Sequence, residues 1–336
     1  MNIAIVGATG NVGRKIIEIL EKKQINIENL FLLASKNSEG KKINYNGNEH
    51  IVTDLEKFDF SSVKIAFFAA GSGVAEKWAH VAAEKTIVID NSKYFRKDPD
   101  IPLIVPEVNS KKLSDVKNKN IIANANCSVI PVVVALKPLH DLYNINRIVA
   151  STYQSVSGAG KSAMDELLSQ TEDYFQNKEI DSKNFTKQIA FNAIPHIDSF
   201  LENGYTKEEQ KTTDEIKKIL DKKIKVTSTC VRIPVLVSHC ISANVEFNKK
   251  CDLDEIRKVL STSPGCKVID EHQDGGYITP VEAEDKFETF ISRIRLDESR
   301  ENTINLWIVS DNLVKGAALN AVQIAESLIT NDFYGR

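Results

Sequence analysis

Short apolar segments alternate with segments of helical periodicity in the first part of the chain. Apolar runs bounded by turn residues are typical of strands that are buried on both faces of a sheet. Strands that alternate with helices predict parallel βαβ units with right-handed crossovers, and therefore an α/β domain with a doubly wound parallel sheet. The predicted strands cover residues 2–6, 30–34, 65–69, 86–90 and 120–124, and helices are predicted at residues 12–20 and 73–84.

The remainder of the chain shows a different pattern. After an apolar helical run at residues 128–139, strands and helices no longer alternate regularly, which predicts an α+β domain with a mixed, largely antiparallel sheet. Residues 177–204 are polar and irregular, and residues 315–330 predict a strong amphipathic helix. The other strands are predicted at residues 147–156, 225–232, 238–247, 290–294 and 303–310, and the other helices at residues 161–175 and 208–220.

Composition narrows the class of protein. The length of 336 residues predicts two domains, and 42% hydrophobic with 26% charged residues predicts a soluble protein with sizeable cores. A net charge of −3 and the lack of an apolar run near ~20 residues give no indication of a nucleic-acid or membrane partner. The first strand begins at Asn2, so we expect no signal peptide. Five scattered cysteines and six scattered histidines predict a cytoplasmic protein without a metal site.

Glycines recur where the first predicted strand gives way to a helix. Gly7, Gly10 and Gly13 have the spacing Gly-x-x-Gly-x-x-Gly. Glycine permits a tight turn and lets the backbone approach a pyrophosphate, which the N-terminus of the helix then holds. The position therefore favours a dinucleotide-binding loop in a Rossmann-type domain over an ordinary βα turn.

The end of the second predicted strand bears on the choice of cofactor. NAD-binding domains carry an acidic residue there, which binds the ribose 2′-hydroxyl. This chain has Ser35, Lys36 and Ser38 instead. A lysine and two serines suit a 2′-phosphate, which favours NADP; the alternative is a solvated loop.

Cys127 is the candidate nucleophile. It lies between a predicted strand and a predicted helix, and the N-terminal end of a helix stabilises a thiolate. The alternative is a small buried side chain, which is common for cysteine. His239 is a candidate base, and Arg232 and Arg96 are candidates to clamp an anionic substrate, while the alternatives are a structural histidine and solvated arginines. A thiolate with a nicotinamide cofactor indicates oxidation or reduction at the acyl level through a thioester.

Five separated motifs run through the chain in order, from residue 1 to about 330. They are Gly-Ala-Thr-Gly-Asn-Val-Gly (7–13), Val-Pro-Glu-Val-Asn (105–109), Ala-Asn-Cys-Ser (125–128), Gln-Ser-Val-Ser-Gly-Ala-Gly (154–160) and Gly-Ala-Ala-Leu-Asn-Ala-Val-Gln-Ile-Ala-Glu (316–326). Together they resemble the bacterial type of aspartate-semialdehyde dehydrogenase, and the ordered set is far more specific than any one of its members.

The resemblance implies a reaction, a cofactor and a domain plan. The reaction is the reversible, NADP-dependent reductive dephosphorylation of L-β-aspartyl phosphate to L-aspartate 4-semialdehyde and phosphate, in the aspartate pathway to lysine, diaminopimelate, methionine and threonine. The implied domains are an NADP-binding Rossmann domain of residues 1–127 and 315–336, and a catalytic and dimerisation domain of residues 128–314 that forms a homodimer.

The resemblance also implies roles for single residues. Cys127 is expected to be the nucleophile, Gln154 to orient the acyl intermediate, and His239 to act as acid and base. The expected substrate-binding residues are Arg232 for the α-carboxylate, Glu208 for the amino group, and Arg96, Lys211 and Asn91 for the phosphate. The expected cofactor-binding residues are Gly7, Thr9, Gly10, Asn11, Val12, Gly13, Ser35, Lys36, Ser38 and, around the nicotinamide, Gly158, Gly160 and Asn320.

Three positions depart from the family pattern. Ala125 stands where proline is usual, which removes no reactive group, and Asn37 stands where arginine is common, which weakens the preference for NADP. Cys240 replaces a common serine, and we expect a packed strand cysteine rather than a partner for a regulatory disulfide with Cys127.

Two other functions remain open at this point. One is an N-acetyl-γ-glutamyl-phosphate reductase, which performs the same chemistry on a longer, acetylated substrate. Glu208 and Lys211 argue against it, because a free amino group needs a carboxylate partner. The other is a non-catalytic nucleotide-binding relative, which would be expected to lack the thiol or the base.

Overall fold

The computed structural model describes residues 1–331, and the chain divides into two compact units. Residues 1–125 and the segment from Ala317 onward form the first unit, and residues 126–316 form the second. The predicted first domain extends to residue 336, so its last five residues lie outside the described part of the chain.

The strands and helices are numbered in chain order. The strands are β1 (Asn2–Val6), β2 (Asn29–Ala34), β3 (Lys42–Tyr45), β4 (Asn48–Ile51), β5 (Thr53–Asp54), β6 (Ile65–Phe68), β7 (Ile87–Asp90), β8 (Leu103–Ile104), β9 (Ile121–Asn124), β10 (Ile145–Gln154), β11 (Lys225–Arg232), β12 (His239–Phe247), β13 (Cys266–Val268), β14 (Thr289–Leu296) and β15 (Thr303–Ser310). The α-helices are α1 (Asn11–Lys22), α2 (Ser72–Ala83), α3 (Pro106–Asn109), α4 (Val129–Tyr143), α5 (Lys161–Phe175), α6 (Lys207–Ile219), α7 (Leu253–Thr262), α8 (Pro280–Ala283) and α9 (Leu319–Thr330).

A seven-stranded sheet forms the centre of the first unit. Its strand order is β5-β2-β1-β6-β7-β9-β8, and every neighbouring pair is parallel. From β1 the chain moves first to β2 on one side and later to β6 on the other, so the order reverses beside β1. In doubly wound sheets the ligand crevice lies at such a reversal, at the carboxyl ends of the strands. The predicted doubly wound parallel sheet is confirmed, and Gly7 follows the strand at its reversal point.

The first unit also contains a hairpin that the sequence analysis did not predict. Strands β3 and β4 pair antiparallel, and Asn46 and Gly47 join them with φ angles of 49° and 76°. A two-residue Asn-Gly turn with both φ angles positive is the strongest short-range hairpin signal. The missed hairpin could therefore have been found from the dipeptide alone.

A six-stranded sheet forms the core of the second unit. Its order is β11-β10-β12-β15-β14-β13, with parallel pairs at β10–β11 and β13–β14 and antiparallel pairs elsewhere. The predicted mixed, largely antiparallel sheet is confirmed. Helix α4 is buried along most of its length and packs against α6, α7 and three strands of this sheet. Its first part, residues 129–136, is apolar on all sides because protein surrounds it.

The predicted helix of residues 315–330 is not one regular helix. Val314–Ala318 forms a π-helical turn, and α9 begins only at Leu319. Lys315 lies in the π-helical turn and is fully buried. The first turn of the predicted amphipathic helix therefore has no solvent-exposed polar side. Such π turns are frequent at functional sites. Helix α9 then packs against α1 and α3 through a wide buried face.

Candidate active site

The turn between β9 and α4 carries Cys127. The Cys127 thiol donates a hydrogen bond of 3.4 Å to Oδ1 of Asn126, and the same oxygen accepts a hydrogen bond from the backbone N–H of Ser128. Val129, the next residue, begins α4. The thiol therefore lies at the positive end of a helix dipole, where a thiolate is stabilised.

Two glutamates on one face of α6 hold this turn in place. Glu215 accepts a 2.7 Å hydrogen bond from the backbone N–H of Asn126, and Glu208 accepts a 2.9 Å bond from the side-chain amide of Asn126. Residues seven apart lie on the same side of a helix, so both carboxylates face the turn. A capping box of Thr206 and Glu209 fixes the start of the helix. Sequence reasoning did not identify Asn126 or Glu215.

His239 lies next to the thiol. Its Nε2 is 3.4 Å from Sγ of Cys127, and its Nδ1 faces the backbone N–H of Ser155 at 3.1 Å. The ring is fully buried. Burial, followed by the positive charge of Arg232, lowers the pKa of His239 to about 3, although Glu208 and the backbone at residue 238 act in the opposite direction. The imidazole is therefore neutral at physiological pH.

Gln154 and Arg232 lie side by side at the ends of two neighbouring strands. They are partners in the parallel register of β10 and β11, and both side chains are buried. Arg232 donates a 2.6 Å hydrogen bond to the backbone carbonyl of Ser155, and burial lowers its pKa without removing the charge. Gln154 donates a longer bond of 3.4 Å to Glu208. The ends of β10 and β11 thus place the amide of Gln154 and the guanidinium of Arg232 near the carboxylate of Glu208.

Lys211 is held between two carboxylates. Its Nζ lies 2.6 Å from Asp198 and 3.1 Å from Glu208, and the side chain is mostly buried. Burial lowers the pKa of Lys211, but the two carboxylates more than offset it, so the net shift is upward. Glu208 accepts hydrogen bonds from Lys211, Asn126 and Gln154.

Two glycines leave space around the reacting groups. A Cβ atom at Gly158 would lie 3.2 Å from Arg232 and 3.3 Å from His239, and a Cβ atom at Gly316 would lie 2.9 Å from Cβ of Cys127. Gly160, after the same turn, has a φ of 99°, which favours glycine. A side chain at Gly158 would press on Arg232 and His239, and one at Gly316 would press on Cys127.

A cavity of about 690 Å³ opens in the first unit beside the glycine loop. Gly7 has a φ of 86°, and a Cβ there would lie 2.6 Å from the carbonyl of Ala69; a Cβ at Gly13 would lie 2.2 Å from the carbonyl of Gly7. The loop therefore holds its close turn only with glycine at both positions. Thr9 and Gly10 line the cavity, and Asn11 and Val12 begin α1 next to it.

Polar and charged side chains also line the cavity. Of the three residues expected to hold the 2′-phosphate, Ser35 and Lys36 line it, whereas Ser38 is not among the lining residues and accepts a hydrogen bond from Lys41. Asn37, which was not expected to bind the cofactor, also lines the cavity. The structure adds two carboxylates and a further lysine that the sequence analysis did not name. These are Asp54, which is the register partner of Ala34, and Glu56, which forms a 2.9 Å ion pair with Lys77.

Asn91, Asn124 and Asn320 form a chain of side-chain hydrogen bonds in the first unit. Asn124 donates to Asn91 and accepts from Asn320, each at 2.6 Å. Asn320 is fully buried, and Arg96 donates to the backbone carbonyl of Asn91 at 3.0 Å. Six residues are expected to bind phosphate or nicotinamide. Asn91, Arg96 and Asn320 belong to this unit, and Gly158, Gly160 and Lys211 belong to the second.

Cys240 lies on the other face of β12 from its neighbour His239, because side chains alternate along a strand. It packs in an apolar cluster that includes Phe290 and Val309, and burial raises its pKa to about 12. This is the packed strand cysteine that we expected.

Residues 1–331 contain no cluster of three or more histidine, cysteine, aspartate or glutamate side chains that is arranged to hold a metal ion. In the same range no helix is long and apolar enough to cross a membrane.

Two family models match the chain. The model of the semialdehyde dehydrogenase NAD binding domain matches residues 2–116, and that of the semialdehyde dehydrogenase dimerisation domain matches residues 136–315. Together they cover most of both structural units.

Full-length relatives and solved structures agree with these models. The aspartate-semialdehyde dehydrogenases of Rickettsia bellii and Aquifex aeolicus are each 49% identical to this chain, over 98% and 97% of it and 97% of their own lengths. The crystal structure of aspartate semialdehyde dehydrogenase II from Vibrio cholerae is 46% identical, covers 99% of both chains and has a TM-score of 0.97; the same enzyme has been solved complexed with ASA. The chain belongs to the aspartate-semialdehyde dehydrogenase family.

Proposed function

We propose that this chain catalyses the reversible, NADPH-dependent reductive dephosphorylation of L-β-aspartyl phosphate to L-aspartate 4-semialdehyde and phosphate, in the aspartate pathway to lysine, diaminopimelate, methionine and threonine. The observation that carries the proposal is the 3.4 Å separation of the Cys127 sulfur from Nε2 of His239 in a buried site that also contains Gln154 and Arg232. A thiol beside a neutral imidazole, with an amide and a cation close by, is suited to acyl transfer.

Cys127 is the proposed nucleophile. Its thiolate attacks the acyl carbon of the substrate, the bond from that carbon to the phosphate oxygen breaks, and phosphate leaves with the bonding electrons. A thioester remains, which splits one difficult displacement into two easier steps. The hydrogen bonds of Asn126 to Glu208 and Glu215 keep the sulfur-bearing turn in place during both steps.

The other residues of the second unit bind and orient the acyl group. Arg232 is suited to the substrate α-carboxylate, because it is a buried cation at a strand end. Glu208 is suited to the amino group, and Gln154 orients the acyl intermediate. Lys211, Arg96 and Asn91 are proposed to bind phosphate. His239 forms the hydrogen bond to the Cys127 sulfur and transfers the proton at the reacting group.

The first unit has the shape that a dinucleotide needs. The cavity lies beside the glycine loop at the end of β1, and Gly7 and Gly13 leave the close backbone approach that a pyrophosphate requires. When bound, NADPH supplies the two electrons that reduce the acyl group. Lys36 and Ser35 are proposed to hold the 2′-phosphate that distinguishes NADP from NAD, and Gly158, Gly160 and Asn320 to surround the nicotinamide.

The domain plan, assembly and location complete the proposal. We assign cofactor binding to residues 1–127 and 315–336, and catalysis with homodimer formation to residues 128–314. The match of residues 136–315 to a dimerisation domain model supports the assembly. Since the five cysteines are scattered and the pathway is biosynthetic, we assign the protein to the cytoplasm.

The test is phosphate-dependent reduction of NADP⁺ by the purified protein. L-Aspartate semialdehyde and N-acetylglutamate semialdehyde are supplied in parallel, with and without phosphate. Turnover that needs phosphate and occurs only with the first aldehyde supports the proposal. Turnover only with the second would overturn the substrate, and no turnover with either, in protein that binds NADP, would favour a non-catalytic relative. Cys127→Ala is the control: it should abolish turnover and leave NADP binding intact.

A further inference from the structure

A buried polar cluster lies behind His239, on the side away from the sulfur. Asn312, which follows β15 by two residues, is 2% exposed. Its Oδ1 lies 2.8 Å from the backbone nitrogen of Ser238 and 3.1 Å from the hydroxyl oxygens of Ser155 and Ser157. Its Nδ2 lies 2.9 Å from the Ser157 hydroxyl. The cluster contains none of the residues proposed for catalysis or substrate binding.

The backbone determines which way the Asn312 amide points. The N–H of Ser238 can only donate, so the atom that faces it must be the oxygen of Asn312 and not the nitrogen. The side chain of Asn312 therefore accepts from the residue just before His239 and from the hydroxyl of Ser155. Asn312 thus hydrogen-bonds both chain segments that flank the His239 ring, one at Ser155 and the other at Ser238. Ser155 and His239 are 84 residues apart in sequence.

The same logic determines the proton on the imidazole. The backbone N–H of Ser155 points at Nδ1 of His239 at 3.1 Å, and a backbone N–H only donates. The Ser155 hydroxyl is also 3.1 Å from Nδ1, and its proton can rotate toward Asn312 or toward the ring. In either case Nδ1 accepts from the amide, so the neutral ring carries its proton on Nε2.

We propose that the Ser155 amide, held in place by Asn312, locks His239 as the Nε2–H tautomer, so that in the resting protein the ring presents a hydrogen-bond donor to the Cys127 sulfur. Asn312 is then a positioning residue of the reaction, acting through Ser155 and Ser238. This inference rests on the proposed function for its catalytic meaning. The tautomer itself is a property of the resting protein.

A donor at Nε2 suits the charges around the ring. Cys127, Arg232 and Glu208 are the ionisable groups that act on His239. A second proton would have to sit on Nδ1, where it would face the Ser155 N–H and break that hydrogen bond, and Arg232 disfavours the added positive charge. The neutral Nε2–H form instead stabilises negative charge on sulfur when Cys127 is the thiolate or the leaving group.

Nuclear magnetic resonance of the full chain tests the tautomer directly. Protein labelled with ¹⁵N-histidine gives different nitrogen shifts for an acceptor nitrogen and an N–H nitrogen, and the His239 signals are those missing from His239→Asn. We expect Nδ1 without a proton and Nε2 with one, unchanged from pH 6 to pH 8. A proton on Nδ1, or conversion to the doubly protonated ring within this range, would overturn the proposal.

Substitution of Asn312 tests the positioning role. In Asn312→Ala we expect kcat to fall about tenfold to a hundredfold with KM values nearly unchanged, because displacement of a catalytic group by about 1 Å costs on this order. The His239 nitrogen signals should also shift toward a mixture of tautomers. Asn244→Ala is the matched control: this asparagine is in the same strand as His239 but bonds Asp297 and Asn305 instead.

The outcomes separate this inference from the proposed function. Wild-type protein that turns over neither semialdehyde would refute the function, while its nitrogen spectrum would still decide the tautomer. If the wild-type protein is active and Asn312→Ala keeps both its kcat and an unchanged His239 nitrogen spectrum, the positioning role is refuted and the proposed function stands.

Discussion

The carboxylate of Glu215 accepts a 2.7 Å hydrogen bond from the backbone N–H of Asn126, the residue immediately before Cys127. Both partners are buried. The bond joins the middle of α6 to the turn that carries the nucleophile, although the two residues are 89 positions apart. Since Glu208 bonds the side chain of the same asparagine, two carboxylates of α6 hold the turn that carries Cys127, the proposed nucleophile.

Replacing Glu215 should lower kcat more than it raises KM. Glu215→Ala leaves the Asn126 N–H buried without its acceptor, a loss of roughly 1–3 kcal/mol, and lets the turn shift. Glu215→Gln keeps an oxygen that can accept, so it should retain most of the activity. Steady-state kinetics of the two variants make the comparison. Equal activity in Glu215→Ala and wild type would show that the turn is held by its other contacts.

A side chain at Gly316 should impair catalysis through the nucleophile itself. In Gly316→Ala the new Cβ would lie 2.9 Å from Cβ of Cys127, so one of the two must move. We expect kcat to fall by about tenfold or more, and alkylation of the Cys127 thiol by iodoacetamide to slow. Gly73→Ala is the control for alkylation, because a Cβ there meets nothing within 4 Å; since Gly73 lines the proposed cofactor cavity, its turnover is not compared. Normal alkylation and turnover in Gly316→Ala would contradict the predicted crowding.

Charge reversal at Lys36 should change the cofactor preference. Lys36 lines the cavity where the 2′-phosphate is proposed to bind, so Lys36→Glu should raise KM for NADP roughly 10- to 100-fold and leave KM for NAD little changed. Lys41→Glu alters an exposed lysine that bonds Ser38 and does not line the cavity. Turnover is measured with both cofactors. An unchanged NADP preference in Lys36→Glu would move the 2′-phosphate elsewhere, with Lys77 as the next candidate.

The neutral state of His239 should make the protein lose stability in mild acid. The pKa is about 3 in the folded protein and about 6.5 when unfolded, so the unfolded chain binds more protons between these values. The stability contribution is therefore complete above pH 6.5 and falls as pH drops, by about 2 kcal/mol at pH 5. Urea unfolding at pH 7 and pH 5 should show a larger drop for wild type than for His239→Asn. Equal drops would indicate that the buried ring is already protonated at pH 5.

Regular periodicity allowed several elements to be predicted from sequence. Helix α5 and strands β1, β11 and β15 have the predicted bounds, because uninterrupted apolar patterns of one period define them. Helix α7 was missed, although Asp252 caps it and Glu255 stands three residues later. The π-helical turn at Val314–Ala318 was also missed, since its residues continue the helical pattern of α9.

The reacting residues of the site could be named from sequence, but their supports could not. Cys127 stands in one of the five motifs and His239 near the start of a predicted strand, and the resemblance implied a role for each; the structure places them 3.4 Å apart. Asn126, Glu215 and Asn312 are single polar residues whose partners lie far along the chain. No local spacing indicates such a partner, because the tertiary fold alone brings the two groups together. Their role becomes visible only from burial and hydrogen bonding.

Helix α9 has a consequence for how the protein is made. It completes the first unit by packing on α1, and Lys23 forms a 2.9 Å ion pair with Glu326, yet about 190 residues of the second unit separate it from the rest of that unit. At ribosomal rates of about 5–20 residues per second, α9 emerges roughly 10–40 seconds after β9. During that interval the second unit can fold while the sheet of the first lacks one covering helix. The nascent chain can therefore form the turn that carries Cys127 before α9 packs on α1.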